Sequence, residues 1–270
     1  RPIYKPFGSV EEQNHWISQT AFADVEDLVN INVPAERYSA YIHNKYGGFE
    51  TYRSGYLDVS GMISSFRKHL IRHNSYIKKT FSPVALDFKK EYVVWEGIKA
   101  RRMIFCEGYK ATRNPFFNWL PFVLAKGELL TLKIPDFEKS TILNKGVFIL
   151  PVRDDIYKVG STYVWDFKDE AVTEEARQEI TLKLDQMIKV PYEIIHQEAG
   201  VRPAVKDRRP LIGMHPQYQT LGIFNGLGTK GVSLAPYFAQ RFYNFLENQA
   251  EIDKEASIER FKPLYYQLKE

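Results

Sequence analysis

The sequence has little cysteine, little excess charge and no long apolar run. Its single cysteine, Cys106, cannot form an internal disulfide, which fits a reducing compartment and makes the cytoplasm the expected location. The 37 basic and 33 acidic side chains leave a net charge of +4, which is too small to predict a nucleic-acid surface. No apolar run approaches the roughly 20 residues that a membrane helix needs, so we expect no membrane span.

Recognisable metal-binding and nucleophile patterns are also lacking. His69 and His73 are four residues apart in a predicted helix, but no third ligand motif stands near them. We therefore expect no metal site. Cys106 ends an apolar run that predicts a buried strand, and it has no nucleophile signature, so we expect a packed thiol.

The composition is that of a globular protein. Of the 270 residues, 44% are hydrophobic and 14% are aromatic, which is enough to bury a sizeable core in one or two domains. No internal repeat or low-complexity tract interrupts the chain.

Four segments carry helix signals. Ser9 begins a capping box that predicts a helix over about 10–22, and apolar residues recur at helical spacing over 59–73. An N-capping threonine predicts a helix over 173–188, and a glycine-rich loop precedes one over 232–248.

Short runs of branched and aromatic residues predict strands, and 126–163 is expected to form an antiparallel region. The predicted strands are 28–33, 38–44, 49–52, 76–81, 84–88, 92–95, 102–106, 126–134, 146–150, 157–163 and 221–224. Residues 103–106 are apolar on both faces and end at Glu107-Gly108. This pattern favours a buried strand of a parallel sheet, whose carboxyl edge is where ligands usually bind.

Three glycines follow the strand at 221–224. Gly226, Gly228 and Gly231 match the letters of the GxGxxG pattern of dinucleotide-binding sites. Such sites also have an acidic residue at the end of a second strand, about 20 positions further along, and the sequence has no such strand end at that place. The backbone N–H groups of these glycines and the positive end of the following helix favour a bound anion or a polar ring edge.

Three C-terminal segments extend this observation: GVRP at 200–203, DRRPLIG at 207–213 and GLGTKGVSLAP at 226–236. Looser segments precede them in order, at 47–48, 55–58, 103–108, 126–128, 148–151 and 160–162. Together they resemble the D-amino acid oxidase-like flavoenzymes, and the glycine oxidase and sarcosine oxidase branch is the nearest in form. The resemblance covers nearly the whole chain, and its C-terminal part is the specific one.

The resemblance implies FAD as cofactor and a mixed fold, α+β and α/β. It implies a substrate domain with a large, mostly antiparallel sheet flanked by helices, over 1–54 and 120–200. An incomplete Rossmann-like FAD-binding domain would comprise 55–119 and 201–270. Members of the family begin with a strand, a GxGxxG turn, a helix and a second strand, which do not precede Arg1. We therefore expect a fragment of an oxidoreductase that is inactive, and holds FAD weakly, by itself.

The resemblance also implies site residues, of which Arg202 would pair with a substrate carboxylate. Phe148 and Tyr163 would line the substrate pocket, although Phe148 lacks the hydroxyl of the tyrosine that some relatives have. The flavin contacts would be Gly108, Pro203, Gly226, Leu227, Gly228, Thr229, Lys230, Gly231 and Val232. No catalytic base is expected, because the flavin itself accepts the hydride.

The implied reaction is oxidation of a C–N bond in an amino acid or other small amine, by hydride transfer to the flavin. Two alternatives stay open. One is a flavin-dependent oxidase of the same superfamily that acts on an amine of a tRNA nucleoside, and the other is a non-catalytic binding module that retains the fold. The oligomeric state is unknown from the sequence.

Overall fold

The computed structural model describes residues 1–20, 22, 25 and 27–268, and the chain divides into two compact units. The first unit contains 1–56 and 126–200, and the second contains 57–125 and 201–270. The sequence placed its domain changes after residues 54, 119 and 200. The assignment of these units to substrate and FAD stays a prediction.

Strands and helices are numbered along the described residues. Strands β1 to β14 occupy Ile3–Pro6, Val29–Val33, Gly48–Thr51, Leu86–Phe88, Val93–Trp95, Ile98–Ala100, Met103–Phe105, Phe122–Lys133, Ile142–Lys145, Val147–Arg153, Ile156–Gly160, Glu193–Val205, Leu211–Met214 and Leu221–Asn225. Helices α1 to α5 occupy Val10–Gln19, Val59–Arg72, Glu174–Asp185, Gly231–Asn248 and Lys262–Gln267.

The first unit is built on a sheet of eight strands in the order β12-β8-β11-β10-β9-β1-β3-β2. Strand β1 runs parallel to β9, whereas β1–β3, β2–β3, β9–β10, β10–β11 and β8–β11 are antiparallel pairs. Leu130 and Ile149 of the sheet are fully buried with Ile180 and Leu184 of α3 in one apolar cluster. The predicted mixed fold with a large, mostly antiparallel sheet is confirmed.

The second unit contains two three-stranded sheets, β13-β14-β7 and β4-β5-β6. Strand β7 runs parallel to β14, as the apolar run at 103–106 predicted, while β13 is antiparallel to β14. Phe105, Leu221 and Ile223 of this sheet are buried in a cluster with Phe117. The sheet therefore rests on a well-packed apolar face.

The strands predicted at 38–44 and 76–81 are wrong, and residues 76–81 have no regular secondary structure. Ala35–Tyr38 forms a turn of 3-10 helix, and Ile42 makes only an isolated bridge to Ile188. Tyr38 and Ile42 are both fully buried, but Ala40, which would share their face in a strand, is exposed, so the pattern suits a helical turn better than strand alternation. The Tyr38 hydroxyl then donates a 2.5 Å hydrogen bond to the Glu50 carboxylate.

Two helices depart from their expected limits or packing. Helix α1 ends at Gln19, and its predicted continuation to 22 runs partly outside the described residues. Helix α2 begins at Val59 as the pattern predicted, and Asp58 caps it, but Met62, Ile63 and Phe66 on its apolar face are exposed. The helical spacing of apolar residues thus predicted the position of this helix correctly, but it did not predict that the apolar face would be exposed.

A buried ion pair ties the sheet of the first unit to helix α3. The Lys126 ammonium lies 3.2 Å from the Glu128 carboxylate, and the two side chains are 5% and 3% exposed. Glu128 also accepts hydrogen bonds from the backbone N–H and hydroxyl of Thr173, the N-cap of α3, and from the Gln197 amide. Burial by itself would raise the pKa of Glu128, but these hydrogen bonds outweigh it and lower the pKa.

We expect Glu128→Gln to lower the free energy of unfolding by about 3 kcal/mol at neutral pH, because Lys126 then stays buried without its counter-charge. The matched control is Glu179→Gln on α3, which removes an exposed ion pair with Lys183 and should cost less than about 0.5 kcal/mol. Urea unfolding measures both values.

The pH dependence of the Glu128→Gln loss follows from the lowered pKa. A carboxylate with a lowered folded-state pKa stabilises the fold above its unfolded-state pKa and loses that contribution as the pH falls. The difference between wild type and Glu128→Gln should therefore shrink in acid. If Glu128→Gln and Glu179→Gln lowered the free energy of unfolding equally, the stabilising role of the buried Lys126–Glu128 pair would be contradicted.

Candidate functional site

The parallel pairing of β7 with β14 brings two distant loops to one sheet edge. Met103, Ile104 and Phe105 pair in register with Leu221, Gly222 and Ile223. Both strands end at the same edge, so the loop that begins at Cys106 and the glycine loop that follows Asn225 start side by side. The carboxyl edge of parallel strands is the usual position of ligands in such sheets.

Asn225 joins these two loops. Its side chain is buried, its amide Nδ2 donates a 2.8 Å hydrogen bond to the Gly108 carbonyl, and its Oδ1 accepts a 2.8 Å hydrogen bond from the Gly226 N–H. Sequence reasoning missed this residue. The available signal was an amide side chain at the last position of a strand, directly before the first loop glycine.

Glycine is required at the first two loop positions for different reasons. Gly226 has φ +74°, and a Cβ there would come within 2.9 Å of the Leu211 backbone nitrogen and 3.0 Å of the Val205 side chain. Gly228 has φ +54°, but the nearest atom to a Cβ would be the Ala204 Cβ at 3.8 Å. Packing and dihedral angle both demand glycine at 226, whereas only the dihedral angle does at 228.

The loop passes through a 3-10 turn at Gly228–Lys230 into helix α4, which begins at Gly231. Within the described residues no side chain caps the N-terminus of α4, and Thr229, Lys230 and Val232 are exposed. The first N–H groups of the helix and its positive dipole end are therefore available to a polar or anionic ligand group.

The end of strand β12 lies against the same loop, since Ala204 and Val205 are the neighbours of Gly228 and Gly226. Alternate residues of a strand share one face, so Arg202 lies on the face of β12 that Ala204 presents to Gly228. Arg202 and Pro203 are both partly buried. The second unit thus brings together Arg202, Pro203, Gly108 and the glycine loop.

The two predicted pocket aromatics lie in the first unit. Phe148 on β10 is partly buried and pairs in register with Gly160, the last residue of β11. Tyr163 follows three residues later and is 40% exposed, with its ring 4.8 Å from that of Trp165. Trp165, which is also exposed, was not anticipated from the sequence. The substrate role of Phe148 and Tyr163 stays a prediction.

The expectation of a packed Cys106 thiol is wrong, because this residue is exposed just beyond the end of β7. The protein atoms around the sulfur still desolvate it in part, and this desolvation, followed by the charge of Glu107, raises the pKa of the thiol and disfavours the nucleophilic thiolate. The rings of His69 and His73 are 4.4 Å apart on α2. In the part of the chain that the structure describes, no group of three or more His, Cys, Asp or Glu side chains is arranged to hold a metal ion.

Among the described residues, none of the helices combines the length and apolar character required to cross a bilayer.

Comparison with protein families gives a match over most of the chain. The model of the family described as DAO, FAD dependent oxidoreductase, matches residues 10–243. Glycine oxidase of Pseudomonas aeruginosa is 29% identical over 120 residues, which are 43% of this chain and 33% of that protein. Glycine oxidase of Pseudomonas putida is 31% identical over 132 residues, 47% of this chain and 36% of that protein. The matched part spans about a third of the length of these curated relatives.

Solved structures share the fold at low sequence identity. The crystal structure of glycine oxidase from Geobacillus kaustophilus has a TM-score of 0.74 at 16% identity, covering 93% of this chain and 72% of that one. The crystal structure of L-proline dehydrogenase from P. horikoshii has a TM-score of 0.76 at 13% identity, covering 97% and 76%.

The geometry of the glycine loop predicts a graded response to added methyl groups. Gly226→Ala should lower the free energy of unfolding by about 2 kcal/mol or more, because the methyl group meets the Leu211 backbone at an unfavourable φ. Gly228→Ala should cost about 1 kcal/mol, from the dihedral angle alone.

The matched control is Gly231→Ala, since Gly231 has φ −54° and a Cβ there would come no closer than 3.7 Å to Leu227. This variant should be neutral or slightly stabilising in chemical unfolding. If the three variants lowered the free energy of unfolding equally, the described difference in packing among the three glycines would be contradicted.

Proposed function

The chain belongs to the family of FAD-dependent oxidoreductases, and on that premise we propose that it provides the flavin-ring side of a site that oxidises the C–N bond of an amino acid or other small amine. The observation that carries this proposal is that the Asn225 side chain hydrogen-bonds both Gly108 and Gly226. Asn225 and Gly226 lie close before helix α4, whose N-terminus is not capped by any described side chain. The names of the two curated relatives, both glycine oxidases, support an amine as substrate.

The residues at this edge fit the polar side of a flavin ring. Gly226 and Gly228 place no side chain at the first and third loop positions, and a Cβ at Gly108 would meet no atom within 4 Å. The N–H groups at the start of α4 point their partial positive charge to the same edge. By resemblance, Gly108, Pro203 and residues 226–232 would hold the cofactor.

Bound FAD would accept a hydride from the carbon that carries the amine. The protein residues would contribute position and field. The first N–H groups of α4 would stabilise negative charge on the pyrimidine side of a bound flavin, and Lys230 would add a positive charge to this edge. No side chain of this set has to act as a base, provided that the substrate amine is unprotonated.

Arg202 would hold the substrate by its carboxylate. A guanidinium group suits this role because its planar fork can donate to both carboxylate oxygens. This contact would favour an amino acid over an amine that lacks a carboxylate. The pocket-lining roles of Phe148 and Tyr163 are those that the resemblance implies.

The test of the proposed function uses the complete gene product, purified with its flavin. Small amino acids and secondary amines are added under anaerobic conditions, and the flavin absorbance is followed. Bleaching by an amino acid is the expected result. Bleaching only by a tRNA nucleoside, or a protein that binds no flavin, would overturn the proposal and favour one of the alternatives drawn from the sequence.

Arg202→Ala in the complete gene product should raise KM for an amino acid by about 10- to 100-fold, because a charge-assisted contact to the carboxylate is lost. The effect on kcat should be smaller, since the contact exists before and during hydride transfer. Arg202→Lys should recover part of the affinity through its single ammonium group.

The matched control for Arg202 is Lys206→Ala, which removes an exposed cation four residues along the chain and should leave KM unchanged. An amine without a carboxylate should show the same KM in wild type and Arg202→Ala. If Arg202→Ala raised KM equally for both kinds of substrate, the carboxylate role would be refuted.

We expect residues 1–270 by themselves to bind FAD weakly. The GxGxxG residues lead into α4, but among the described residues α4 is not followed by a second strand that ends in an acidic residue. A dinucleotide-binding site requires both features. Flavin absorbance of the purified chain after gel filtration measures this, with far less than one FAD per chain as the expected result. A stoichiometrically yellow protein would refute this expectation.

A further inference from the structure

A second candidate binding site lies in the first unit, in a cavity of about 290 Å3. Its floor includes the buried side chains of Phe7 and Asn44. Lys45, Lys145, Lys189 and His43 also line it. No acidic side chain is among the described residues that line this cavity, which we call the lysine cavity.

Two of the ammonium groups are held at the wall of the lysine cavity by main-chain oxygens. Lys189 Nζ donates to the Ser39 carbonyl at 3.0 Å, and Lys145 Nζ donates to the Phe7 carbonyl at 3.4 Å. Ser39 and Phe7 themselves line the cavity. Each ammonium group has three N–H donors, so these contacts leave donors for a ligand.

These cations are not neutralised by carboxylates. Among the ion pairs of the described residues, none involves Lys45, Lys145 or Lys189. Lys45 instead lies 5.2 Å from the centre of the Tyr46 ring. Like charges that face one cavity repel one another, and a bound anion removes that repulsion.

One carboxylate does come near the lysine cavity. Glu12 accepts a 2.7 Å hydrogen bond from the Gly8 N–H and lies 2.9 Å from Lys5 Nζ. The backbone hydrogen bond from Gly8 has the largest part in lowering the pKa of Glu12, and the charges of Lys5 and Lys145 add to it. Because Glu12 is already bound on two sides, it does not substitute for a ligand of Lys45 and Lys189.

We propose that the lysine cavity binds the phosphate group of a small phosphorylated molecule or a free polyphosphate. Several lysines that line one cavity without a carboxylate favour a multivalent oxyanion over a monocarboxylate, because a ligand with more negative charges is attracted more strongly by the same set of cations. A volume of about 290 Å3 lies at the lower end of the range for small-molecule pockets, which favours a phosphate or diphosphate group over a whole nucleotide.

The test is calorimetric titration of the full chain with inorganic pyrophosphate at constant ionic strength, without added FAD. Wild type should show saturable binding to one site. Lys145→Gln combined with Lys189→Gln should weaken it by at least about tenfold, because two charge-assisted contacts are lost. Lys45→Gln, whose ammonium group contacts an aromatic ring and not a main-chain carbonyl, should weaken it severalfold and keeps the test valid if the double variant unfolds.

The matched control is Lys133→Gln combined with Lys168→Gln, which removes the same number of positive charges at exposed positions of the same unit and should alter affinity by no more than about twofold. Equal weakening in the control and cavity variants would overturn the proposal, as would the absence of saturable binding. Binding to vesicles that contain phosphatidic acid, without binding of pyrophosphate, would also overturn it by assigning the lysines to a lipid surface.

Discussion

The parallel pairing of β7 with β14 is the constraint on which the candidate flavin site depends. It aligns Met103–Phe105 with the strand that ends at Asn225, so two loops more than a hundred residues apart begin at one sheet edge. The Asn225 amide then fixes the Gly108 carbonyl and the Gly226 N–H together. Gly226 packs too closely on Leu211 to admit a side chain, and helix α4 follows with its N–H groups uncapped by any described side chain. The pairing of two short strands thereby determines where a polar ligand group can meet main-chain donors.

The first unit uses charge in two contrasting ways. Lys126 and Glu128 are buried together, and every strong contact of the Glu128 carboxylate is made within the protein, so this pair stabilises the start of α3 and leaves little for a ligand. The lysine cavity has the opposite arrangement, because its ammonium groups contact carbonyl oxygens and an aromatic ring but no carboxylate of the described residues. The same residue type is structural where its charge is matched and is a candidate for ligand binding where it is not.

Local signals predicted the helices best. Ser9, Asp58 and Thr173 each accept a hydrogen bond from the first turn of the helix they precede, and capping depends on residues that are neighbours in the sequence. The apolar run at 103–106 also predicted a parallel strand, and the family and the mixed fold suggested by the resemblance are confirmed. The segment 38–44 was misread because β-branched and aromatic residues there pack inward from a turn, with Tyr38 bonded to Glu50. Composition cannot distinguish a buried turn from a buried strand of the same length.

The sequence by itself determined the family, the helix caps and the glycines of the loop before α4, because these depend on residue type and on short spacing. Only the tertiary structure decided that Asn225 joins the two loops, that Cys106 is exposed and that Lys45, Lys145 and Lys189 face one cavity. The Asn225 contact and the lysine cavity each join segments far apart along the chain. Their meeting depends on strand order and register, which are set by packing of the whole unit and leave no local pattern to read.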